Sequence, residues 1–164
     1  MKRYIVVAVV VVLSAVMAAP LSAHGATRID VEGTWEYWPT GDDDIREHSR
    51  YTVIRNTDAG NWYGTFAGTQ VGKFVVVVRN DLSFALYHER ITFTGCVNID
   101  HCGTMTILTY GRQVPGGMGP GEGGPWSGHW FVRNGTGDLE GIRGHGTWGG
   151  GPFPIPYEGK VRLP

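Results

Sequence analysis

From Ile29 onward, apolar and polar positions alternate over short stretches broken by turn residues, and no window carries the 3.6-residue period of an amphipathic helix. Alternation places successive side chains on opposite faces of a strand, so the chain is predicted to be all-β. Strands are expected at 29–38, 48–55, 62–70, 73–79, 83–94, 104–112, 126–133, 144–148 and 157–163. Eight or nine short strands predict a small, antiparallel, closed barrel of eight or nine strands. Thr57-Asp58-Ala59-Gly60, Asn80-Asp81 and Asn134-Gly135 carry turn chemistry, so most neighbours should pair as hairpins. The run from Phe74 to Val78 is apolar on both faces, which suits a strand covered outside as well as inside; a homo-oligomer interface is one way to cover it.

Two segments interrupt the alternation. Residues 40–47 contain Asp42-Asp43-Asp44, a solvated loop without the spacing of a calcium-binding hand. Residues 114–125 are mostly glycine and proline, which predicts a flexible connection beside the barrel mouth. No Gly-Lys-Ser/Thr follows them, so they do not form a phosphate cradle.

At the other end of the chain, Lys2 and Arg3 precede an apolar run from Tyr4 to Met17 and then small residues. That run is shorter than the roughly 20 residues of a membrane span, and Leu21-Ser22-Ala23 ends on a small side chain suited to cleavage. Residues 1–23 are therefore expected to be a signal peptide and 24–164 a single barrel domain, secreted or periplasmic, with no stable membrane span after processing. Without Lys2 and Arg3, twelve basic residues face 15 acidic ones, a formal charge of about −3 with no basic patch. The counterion-release term that drives nucleic-acid binding is missing, so no nucleic-acid partner is expected. Cys96 and Cys102 are the only cysteines, and in an oxidising compartment they are expected to form a disulfide. A metal site using them together with His101 would need further ligands.

Trp35, Trp38, Trp62, Trp126, Trp130 and Trp148 are many tryptophans for one small domain, and several follow Gly-x. A ring beside a glycine covers bare backbone and fills the taper of a small barrel. Alternatively, some rings line a cavity for an apolar or aromatic ligand. In Tyr87-His88-Glu89-Arg90, alternation gives Tyr87, Glu89, Ile91 and Phe93 one face and His88, Arg90 and Thr92 the other. If the first face points inward, Glu89 is a carboxyl group among aromatics, with its pKa raised or with an internal partner such as Arg143. It is then the candidate for general acid/base work, with Tyr87, Phe93, Trp35, Trp130 and Arg143 as candidate ligand-binding residues. A purely structural buried pair closing the barrel is the competing reading.

The C-terminal stretch from Asn134 to Gly146, with glycines at 135, 137, 141, 144 and 146, resembles the closing signature of the allene oxide cyclase-like barrels, which include plant dirigent proteins and a bacterial family. Glu89-Arg90 before Gly95, and Gly128-His129-Trp130 before the signature, resemble runs of that bacterial family. The resemblance extends over residues 29–148 and implies a calycin-like barrel. His129 and His145 depart from it, and no catalytic residue of those enzymes transfers to a matching position here. Gly33-Thr34-Trp35 is also similar to the Gly-x-Trp of lipocalins.

Gly-x-Ser-x-Gly, a lone reactive cysteine and a convincingly spaced carboxylate pair are all absent from the sequence, as are His-x-His and His-x-x-x-His, so hydrolase and zinc chemistry lack their usual support and neither metal nor cofactor is expected. Three readings stand: a barrel binding a small apolar molecule in its lumen, a cofactor-independent isomerase or cyclase using the same lumen, and a filled barrel acting as an envelope interaction protein.

Overall fold

The computed structural model describes residues 27–113, 126–149 and 153–163. The expected signal peptide and the glycine-rich connection at 114–125 lie outside the described residues. The strands are β1 (Arg28–Pro39), β2 (Asp44–Glu47), β3 (Tyr51–Gly64), β4 (Phe66–Arg79), β5 (Ala85–Val97), β6 (His101–Gln113), β7 (Trp126–Arg133), β8 (Arg143–Gly149) and β9 (Ile155–Arg162), with one 3-10 turn at Gly137–Leu139. All neighbouring strands pair antiparallel, and β1 closes the sheet by pairing with β9 on one edge and with β3 on the other. Eight strands make the closed barrel. The short β2 is a ninth, laid on β3 from Asp44↔Arg55 to Glu47↔Thr52.

The largest departure from expectation concerns Thr57-Asp58-Ala59-Gly60, which is not a turn. It lies inside β3, a single strand of 14 residues. Both of its edges are paired there: Ala59 stands opposite Trp38 of β1 and Val71 of β4. Ladder bonds on two sides outweigh a local turn preference. The chain reverses instead between Gly64 and Phe66, with Gly64 at φ +102°. Asn134-Gly135 likewise opens a longer connection through the 3-10 turn, whose Leu139 is fully buried.

Inside the barrel, aromatic side chains pack ring on ring. Trp35 and Trp62 have centroids 4.7 Å apart, Trp62 and Tyr157 4.9 Å, Phe66 and Tyr157 5.3 Å, and Phe66 and Trp130 5.6 Å. These rings, with Phe93, Met105 and Ile107, are buried. The pairing of ring and glycine is literal at Trp130: a Cβ added at Gly146 would lie 2.4 Å from its Cζ2 atom. At one end Leu139 and Ile142 seal the barrel, and the bonded Cys96–Cys102 pair joins β5 to β6 there. Phe74 to Val78 are all half-buried.

Candidate functional site

Tyr87, Glu89, Ile91 and Phe93 face the interior, as alternation along β5 requires, while His88, Arg90 and Thr92 are exposed. Glu89 is 1% exposed. Its neighbour inside the barrel is a second acid. Asp58, also 1% exposed, comes from β3, two strands away. The strand between them is β4, where Asp58 stands opposite Gly72 and Glu89 opposite Phe74. A Cβ at Gly72 would fall 2.0 Å from Glu89 Oε1 and 2.5 Å from Asp58 Oδ1, so both carboxyl groups occupy the space that this glycine leaves empty.

Gln70, two residues earlier on β4, joins the acids to the core. Its Oε1 accepts the Trp62 indole N–H at 2.6 Å, and its Nε2 donates to Asp58 Oδ1 at 3.1 Å and Glu89 Oε1 at 3.5 Å. Indole N–H is a donor only, so it dictates which way the amide faces. The Tyr87 hydroxyl donates to Glu89 Oε2. Thr109 stands opposite Glu89 on β6 and is fully buried. Its hydroxyl donates to Glu89, which opposes the rise of that carboxyl's pKa. Asp58 Oδ2 is buried without a hydrogen-bond partner.

Burial, and next the charge of Asp58, hold the Glu89 carboxyl well above the usual carboxylate range. Burial raises Asp58 as well, against the lowering effect of its hydrogen bonds to Glu89 and Gln70. Burial and the repulsion between two neighbouring like charges both oppose full ionisation, so the pair favours a state that keeps a proton. No arginine, lysine or histidine among the described residues forms an ion pair with either acid: the four ion pairs present join Asp44 with Arg46 and Arg55, Arg79 with Asp81, and Lys160 with Asp30.

Aromatic rings surround the acids on the side away from the sealed end. Tyr87 packs against Trp148 at 5.8 Å, Trp126 at 5.9 Å and Phe74 at 6.1 Å, and Tyr37 meets Phe153 at 6.1 Å. Tyr37, Phe74, Tyr87 and Trp126 are half-buried, unlike the rings of the deep core. Burial, and then the charges of Glu89 and Asp58, raise the pKa of Tyr37. This end is therefore a rim of partly accessible rings over an acidic floor.

The expected site residues separate into three groups. Glu89 and Tyr87 are brought together. Trp35, Trp130 and Phe93 belong to the packed core at 1%, 0% and 0% exposure, below the rim. Arg143 does not reach Glu89. It shares the outward face of β8 with His145 and Thr147, is exposed, and donates to the Ile142 carbonyl at 2.8 Å. A strand's alternation that turns Gly144, Gly146 and Trp148 inward necessarily turns Arg143 out. His88, His129 and His145 are exposed on three strands, and no group of three metal-ligating side chains occurs among the described residues. Asp58, Gln70, Gly72 and Thr109 were not expected from the sequence. Period-2 placement with Trp62 on β3 and Phe74 on β4 is the signal that points to Asp58, Gln70 and Gly72, once those strands are taken as unbroken, and placement with Met105 and Ile107 on β6 points to Thr109.

These features define a closed eight-stranded antiparallel barrel with a buried acid pair at its aromatic end. In architecture it is similar to the crystal structure of a protein of unknown function from the DUF3224 family of Shewanella oneidensis: the TM-score is 0.64 at 16% identity, over 85% of this chain and 98% of that one. At that identity the similarity carries the barrel alone. No protein-family model matches the sequence. No curated protein matches it either.

Proposed function

We propose that the protein is an exported barrel of the allene oxide cyclase-like type that binds a small apolar or aromatic molecule at its aromatic end. One observation carries the reading: Asp58 and Glu89 share a buried floor beneath the half-buried rings of Tyr37, Phe74, Tyr87 and Trp126. Sites of this kind combine apolar walls with a few placed polar groups that fix orientation. Trp35, Trp62 and Trp130 fill the deeper lumen, so the ligand sits above them and not along the barrel axis. The Cys96–Cys102 bond and the apolar leader pattern support export.

The shared proton favours one second reading, a cofactor-independent isomerase or cyclase. One carboxyl group then gives a proton while the other takes one, with Tyr87 holding Glu89 in place. Glu89→Gln separates the two: it abolishes turnover and spares binding in an enzyme, and leaves a binding protein functional.

Native mass spectrometry of the protein from an exporting host, beside a denatured sample, tests the proposal. The expected result is an added mass, lost on denaturation, from a small aromatic or apolar compound. A bare polypeptide that also binds no compound from an aromatic fragment panel overturns it.

A further inference from the structure

Resting on the binding reading above, we infer that the ligand carries a protonated amine, so that an aromatic or apolar ammonium compound is the preferred occupant of the rim over Asp58 and Glu89. The floor holds an unsatisfied acceptor. Asp58 Oδ2 is buried without a hydrogen-bond partner, which leaves a carboxyl oxygen inside the barrel with no donor. The polar floor is dominated by acceptors: two carboxyl groups, whose described donors are Gln70 Nε2, the Tyr87 and Thr109 hydroxyls and the Gly72 backbone N–H. An ammonium group is the complementary object, with three donors and no acceptor.

Charge points the same way. Both acids face the interior without a cation among the described ion pairs; the charge of Asp58 raises the Glu89 pKa, and the charges of both acids raise those of Tyr37 and Tyr87. A carboxylate or phosphate ligand would bring a further negative charge to this floor. A neutral aromatic would fill the rim and leave Asp58 Oδ2 as it stands. The rings above complete the match, because the faces of Tyr and Trp attract a cation while their bodies bury an apolar one. Four rings converge on Tyr87 or stand beside it: Phe74, Trp126 and Trp148 pack on it, and Tyr37 senses the same two acids.

Calorimetry with three probes of one ring system tests the inference at pH 7: tryptamine, tryptophol and indole-3-acetate carry an ammonium, a hydroxyl and a carboxylate on the same indole. Tryptamine is expected to bind at least about tenfold more tightly than tryptophol, equivalent to about 1.4 kcal/mol, with indole-3-acetate weakest. Asp58→Asn should reduce the tryptamine preference to less than about threefold while tryptophol affinity holds. Repeating the wild-type titrations in two buffers of different ionisation enthalpy gives a reading independent of any variant's folding. An arriving cation eases loss of the shared proton, so tryptamine should release more protons than tryptophol. Equal or tighter tryptophol binding, or equal proton counts, overturns the amine assignment and leaves the binding reading intact. Failure of all three probes to bind overturns the amine assignment, and overturns the binding reading too when native mass spectrometry shows a bare polypeptide and the fragment panel yields no binder.

Discussion

The carboxyl groups of Asp58 and Glu89 come from strands that do not pair with each other, β3 and β5, and meet in the space that Gly72 leaves on the strand between them. The relationship makes three residues interdependent, and it sets the response of the fold to pH.

Both acids have pKa values raised from their ordinary 3.8 and 4.5, so above those values the native state holds more protons than the unfolded chain. The sign follows: their contribution to stability is complete below about pH 4 and is lost as pH rises through the native values, by at most about 1.4 kcal/mol per proton per pH unit. Glu36 and Asp81 are shifted downward by hydrogen bonds to Tyr63 and Ser83, and act only in more acidic solution. Thermal melting between pH 4.5 and 8 should therefore show a falling midpoint with rising pH. Glu89→Gln should flatten that slope.

Gly72→Ala should be severe for an alanine substitution. The new methyl would meet Glu89 Oε1 at 2.0 Å and Asp58 Oδ1 at 2.5 Å, and overpacking of this kind costs about 1–3 kcal/mol. In a Glu89→Ala background part of that cost should vanish, which a double-mutant cycle of denaturation midpoints measures.

Trp130 and Trp126 lie only four residues apart, yet they should behave differently. Trp130 is fully buried and packs over Gly146, so Trp130→Ala should cost about 3–5 kcal/mol. Trp126 is half-buried against Tyr87 at the rim, so Trp126→Ala should cost about 1 kcal/mol and weaken ligand binding instead. Chemical denaturation paired with calorimetry on each variant distinguishes the roles.

The Cys96–Cys102 bond closes a short loop between β5 and β6, so replacing both cysteines with serine should cost about 2 kcal/mol. Because the pair sits at the sealed end, ligand affinity should not change. Denaturation of wild type with and without reductant provides the same comparison.

The barrel could be foreseen from the sequence because alternation is a local signal: Tyr87, Glu89, Ile91 and Phe93 face inward as the period demands. The partner of Glu89 could not, because it depends on pairing at a distance. Asp58 stands in Asn56-Thr57-Asp58-Ala59-Gly60-Asn61, whose composition favours a turn until β1 and β4 supply ladder bonds on both edges. Arg143 is expected from the sequence as an internal partner of Glu89, but register along β8 decides its direction, and that register is set by Trp148 and the two inward glycines. The glycine spacing itself carried more than turn geometry. At Gly72 the missing side chain makes room for an acid pair, and at Gly146 for an indole ring.

The shared proton is the centre of the account, and carbon-13 NMR of the side-chain carboxyl groups across pH 3–9 measures it most directly. The account predicts that Glu89, assigned by its loss in Glu89→Gln, remains protonated at neutral pH, and that its titration shifts when Asp58 is replaced by asparagine. Two independent titrations, both complete by about pH 5, would contradict it.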